Sequence, residues 1–92
     1  MTLNNIGAAH LNLGNLDESE GAFKEALALD DKYALVRFNM AVLHEMRGAR
    51  MLAEKALADA ARLGYSGGGL DMVINRAQSI LARVEGRGIE SA

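Results

Sequence analysis

The sequence predicts an all-α protein of about five helices arranged as repeated pairs, and three observations carry that expectation. Ala, Leu and Gly dominate while aromatics make up only 4% of the 92 residues, a balance that favours helix over sheet. A shift of 34 residues lays the chain on itself, pairing Asn5 with Asn39, His10 with His44, Gly14 with Gly48, Glu20 with Glu54, Ala22 with Ala56, Ala26 with Ala60 and Leu29 with Leu63. Within each unit the apolar residues recur at three- and four-residue intervals, the spacing of one helix face.

Length and composition narrow the function before any motif is sought. The chain has room for one small domain. It contains no Cys, which excludes disulfides, thiolate metal sites and cysteine nucleophiles. Apolar runs fall well short of the roughly 20 residues of a membrane span, and no basic stretch followed by an apolar core opens the sequence. The expectation is a cytoplasmic chain without signal peptide or membrane insertion. A net charge of −2 argues against nucleic acid as a partner. The charge is uneven: residues 1–31 hold six acids and one base, and residues 32–92 hold nine bases and six acids.

The first helix is read from Leu3, Ile6, Gly7, His10 and Leu13, and Gly14 stops it. Asp17 followed by Glu20 reads as an Asp variant of the capping box opening the second helix, whose stripe is Ala22, Phe23, Ala26, Leu27 and Leu29. Asp30 and Asp31 end that helix and offer an N-cap to the next. A third helix is expected over 32–46, a break at Gly48, and a fourth helix over 50–63 ended by Gly64. Gly7 and Ala41, with Ala26 and Ala60, leave no bulk where helices cross. Leu70, Val73, Ile74, Ala77, Ile80, Leu81 and Val84 then mark a single amphipathic closing helix. The expected organisation is one domain over 1–85, with repeat one at 1–33, repeat two at 34–67 and the closing helix at 68–85, followed by a flexible tail at 86–92.

A 34-residue helix-turn-helix unit with Ile6, Gly7, Gly14, Ser19, Phe23 and Ala26 in the first copy, and Met40, Ala41, Gly48, Ala53, Leu57 and Ala60 in the second, resembles the tetratricopeptide repeat. The resemblance covers about two thirds of the chain and implies a right-handed α-solenoid of antiparallel helix pairs closed by a capping helix. Three family positions differ. The usual Trp is Leu3 and Arg37, the usual Tyr is His10 and His44, and the common Pro is Asp31 and Tyr65.

No constellation of catalytic groups emerges, so no enzyme activity and no cofactor is expected. His10 and His44 occupy equivalent positions about one helix spacing apart, too far to share a zinc ion without turning out of the core, and no third ligand is suggested. Each is read as standing in for a core aromatic. Asp17, Glu18 and Glu20 cluster at a helix start, where negative charge suits the dipole. Ser19, Ser66 and Ser79 have no adjacent base, and Gly67, Gly68 and Gly69 lack the Lys and Ser or Thr of a phosphate-binding loop.

The resemblance implies instead a protein or peptide partner, held in a concave groove lined by the first helix of each repeat. Carried over position by position, the lining is Met1, Asn4, Ala8, Leu11 and Asn12, then Leu35, Phe38, Val42, Glu45 and Met46. The third helix is apolar around much of its circumference, because Val36, Met40, Ala41, Leu43 and His44 already supply a core face. That excess has two readings: the groove receives an apolar or amphipathic peptide, or the closing helix folds into it. No Lys lies in the lining, which disfavours a receptor for acidic chaperone tails. An alternative function is homodimerisation through the open N-terminal face, where Leu3, Ile6, Leu13 and Leu16 have no preceding repeat to cover them.

Overall fold

Three left-handed glycines punctuate the chain and set its architecture. Gly14, Gly48 and Gly64 all have positive φ, and each lets the next residue's N–H reach back to a carbonyl five residues earlier: Asn15 to His10, Ala49 to His44, Tyr65 to Ala60, each at 2.9 Å. Gly14 and Gly48, 34 residues apart, thus repeat the same turn, whereas Gly64 ends α4 where the corresponding Asp30 is extended. A computed structural model describes residues 2–90, with side chains to residue 86; Met1 of the expected groove lies outside them. It contains α1 (Leu3–Leu13), α2 (Leu16–Leu29), α3 (Ala34–Met46), α4 (Arg50–Arg62) and α5 (Leu70–Glu90). The fold is an all-helical solenoid of hairpins, α1 on α2 and α3 on α4, with the second hairpin stacked on the first chiefly through α2 and α3.

The hairpins close tightly because small residues stand at the crossings. The Phe23 ring packs where a Cβ on Gly7 would be, and the Ser19 hydroxyl, fully buried, donates to the Gly7 carbonyl at 2.8 Å. Ala41, Ala53 and Ala60, all at 0% exposure, do the corresponding service in the second hairpin. Leu11, Phe23, Val36, Val42 and Leu43 form the centre of the core, and Val73, Ala77 and Ile80 of α5 complete it.

Three local expectations are corrected. α2 starts at Leu16, one residue after the Gly14–Asn15 link, so Asp17 lies inside the first turn and no capping box forms; its carboxylate is turned to Arg47 instead. Asp30 accepts from the Lys32 N–H at 3.1 Å within its own turn, and α3 begins only at Ala34 without a side-chain cap. α5 continues helical to Glu90, past the expected end at 85; Ser91 and Ala92 lie outside the described residues.

The glycines separate by environment. Gly7→Ala drives a methyl group into the Phe23 ring and is expected to cost about 1–3 kcal/mol, as overpacking does. Gly21→Ala, on an exposed face of α2 with nothing near its Cβ, is expected to add about 1 kcal/mol. Urea melts of the two variants check the contrast.

Candidate functional site

The groove is expected along α1 and α3, and α5 packs against both, chiefly α3. A helix that continued the array would rest on α4 as α3 rests on α2; α5 packs against α3 and reaches α1 at its far end, where Val84 approaches Gly14. The consequence for the expected lining is direct. Leu11, Phe38, Val42 and Met46, expected to face an open groove, are buried in the cluster that contains Val73, Ala77 and Ile80. The apolar residues of α3 beyond its α4 face are packed in the cluster that α5 joins.

The remaining lining residues divide. Asn4 is buried rather than presented, its carbonyl accepting at 3.0 Å from the Asn39 amide of α3. That bond links the two hairpins in a dry setting, where an unpaired amide would be costly. Glu45 accepts two bonds from Arg50, at 2.7 and 3.0 Å, and this holds its carboxyl below the usual range; the same pairing raises the Arg50 guanidinium. Ala8 and Asn12 are half-buried, and Leu35 is 39% exposed.

An open stretch survives beside α5. It is a cavity of about 400 Å³ lined by Asn12 of α1, Phe38 of α3, Tyr65 of the connecting turn, and Met72, Arg76 and Arg83 of α5 among others. Tyr65 stacks on Phe38 with ring centroids 4.5 Å apart and planes 27° from parallel. Tyr65 stands where the family pattern has proline. Its departure was visible in the sequence, its stacking partner was not.

At the N-terminal face Leu3 and Leu16 are half-buried against the core, Ile6 is half-buried, and Leu13 is 52% exposed. A second cavity of about 340 Å³ opens there, lined by Leu3, Asn4, Ala26, Leu29 and Tyr33. Leu29 is 81% exposed.

The hairpins are clasped by a residue that sequence patterning did not single out. Arg47, at the end of α3, donates at 2.7 Å to Asp17 and at 3.1 Å to Glu20, both on the first turns of α2. The Arg47 hydrogen bond holds the Glu20 carboxyl below its ordinary range, against a smaller opposing effect of burial. Nearby His44 is half-buried and burial lowers its pKa, opposed by the Glu20 charge. His10 sits at the other end of the same plan, with its Nδ1 3.4 Å from the Asn15 amide. Among the described residues no group of three or more His, Asp or Glu side chains could hold a metal ion, and no helix is long and apolar enough to cross a membrane.

No family model matches the chain, and no solved structure matches it. Among curated proteins, Heat shock protein STI1 of Saccharomyces cerevisiae is 43% identical over 47 residues, which is 51% of this chain. The matched stretch is 8% of that relative's length, so the chain corresponds to a small part of it.

The Arg47 clasp has a pH signature. Because the folded pKa of Glu20 is depressed, its contribution is complete above the unfolded carboxylate range and is lost as pH falls through the lower folded value. Arg47→Gln is therefore expected to cost about 1 kcal/mol at neutral pH, in keeping with its partly exposed pairs, and to cost less in acid. Thermal melts of both chains across that range check this.

Proposed function

We propose that the chain is a non-enzymatic protein-interaction module of the tetratricopeptide type, receiving an apolar or amphipathic helix along the concave face of α1 and α3. One observation supports this above the others: that face carries Leu11, Phe38, Val42 and Met46 in a continuous stripe and already accommodates an amphipathic helix, α5. A stripe on α3 opposite the face that meets α4 is more apolar surface than hairpin packing needs. The similarity to one stretch of a heat shock protein is compatible with a protein-binding role and names no partner.

A second reading rests on the N-terminal face. The cavity between Leu3 and Leu29, the exposure of Leu29 and Leu13, and an acidic first third against a more basic remainder together suit association of two copies through that end. On this reading Leu29→Lys disperses the dimer, and the mass measured by light scattering falls towards the monomer as salt is raised. A monomer at low salt and about tens of micromolar, well above the range of a specific dimer, sinks it.

The groove reading predicts where a ligand acts. A model amphipathic peptide of about five helical turns, long enough to span the face, is expected to shift the methyl NMR signals of Leu11, Val42 and Met46. Leu35→Glu, at the exposed rim, is expected to weaken the complex about tenfold, or about 1.4 kcal/mol, while helical circular dichroism is unchanged. Shifts confined to α2 and α4 would overturn the assignment.

A further inference from the structure

The position of α5 is not the one that repetition of the fold dictates. The second hairpin stacks on the first mainly through α2 and α3, so a helix extending the array would lie against α4. α5 instead lies along α3 and ends against α1, covering the stripe on which the groove reading rests. It takes the place of a ligand.

The way α5 is held differs from the way the hairpins are held. The hairpins are joined by the Arg47 clasp and the buried Asn39–Asn4 bond, and within the first of them Ser19 bonds Gly7. Among the described residues, no side-chain hydrogen bond or ion pair ties α5 to either hairpin. Its attachment is apolar contact through Val73, Ala77 and Ile80, with Leu70, Leu81 and Val84 partly buried beside them. Such contact is non-directional and is reproduced by any helix with the same seam. The connection to α4 is short and includes Gly67, Gly68 and Gly69 in succession. A tether of that length holds α5 at an effective concentration in the millimolar range.

We propose that α5 is an internal ligand of the groove, displaced by an amphipathic helix of a partner protein that presents the same seam. This rests on the groove reading above and makes it more specific. The seam is Val73, Ala77, Ile80 and Val84, spaced four, three and four residues apart, with small Ala77 allowing close approach to α3. A displacing helix therefore carries a small residue near its centre with branched aliphatic residues four before, three after and seven after. Arg76 and Arg83, which line the open cavity, leave with α5 and are not part of the receiving surface.

The experiment uses the full chain and one probe, a fluorescent peptide of residues 70–86. Its anisotropy is titrated with the native chain, with the chain carrying Ile80→Asp, and with a chain whose glycine connection is lengthened by about 20 flexible residues, which lowers the effective concentration of α5 without touching the core. Circular dichroism reports whether each chain is folded. The peptide is expected to bind about tenfold tighter to both altered chains than to the native one, and a peptide carrying Ile80→Asp is expected not to bind. Equal affinity for the native chain and the long-tether chain overturns the internal-ligand proposal and leaves the groove reading standing. Failure of the peptide to bind any folded chain overturns both. A long-tether chain that runs as a dimer by light scattering shows α5 seated in a second copy, which overturns the assignment to a foreign partner.

Discussion

The structure depends on how closely α1 and α2 approach. Gly7 has no side chain and Phe23 fills the space it leaves, so one helix lies on the other's backbone and Ser19 can reach the Gly7 carbonyl. That approach fixes the hairpin, and the hairpin fixes which residues of α1 remain to meet α3. The pair it joins supplies both polar links to the second hairpin, Asn4 of α1 accepting from Asn39 and Asp17 and Glu20 of α2 accepting from Arg47. Their specificity comes from geometry, since partly exposed ion pairs contribute only about 1 kcal/mol or less each.

From the same approach follows the shape of α3. It buries Val36, Ala41 and Leu43, and Phe38, Val42 and Met46 lie buried in the same cluster as Val73, Ala77 and Ile80 of α5. Polar residues at those positions would have given a solvated solenoid face. Apolar ones oblige the molecule to cover them, and α5 does so with a helix whose polar side stays wet. α5 is accordingly part of the core, and among the described residues it is held there by apolar contact alone.

Much of this was legible in the sequence, and the divisions are physical. The 34-residue shift and the stopping glycines revealed the hairpins because the left-handed turn they permit recurs at a fixed interval. The α5 stripe was legible because Leu70, Val73, Ala77 and Ile80 keep one face of a helix. Periodicity reports which face is apolar and is silent on which neighbour it meets, so the route of α5 across α3 was left between two readings. The Arg47 clasp was invisible for a related reason: its partners lie 27 and 30 residues away, and charge spacing along one helix does not reach that far. Asp17 and Glu20 were noticed for their spacing and misassigned to a cap, because the cap position falls on Asn15, two residues before Asp17, and α2 starts at Leu16.

The contrast between the two kinds of attachment has a thermodynamic consequence. Ion pairs and the buried amide bond lose their geometry abruptly, and His44, whose burial disfavours the charged form, adds acid sensitivity to the same region between α2 and α3. The contacts of α5 vary with buried area instead and weaken on cooling. Among the described residues Arg76 and Arg83 of that helix form no ion pair. Both line the open cavity, and no acidic residue lines it with them. Among the described residues the specific polar links are thus concentrated in the hairpins, while α5 is joined to them by apolar contact.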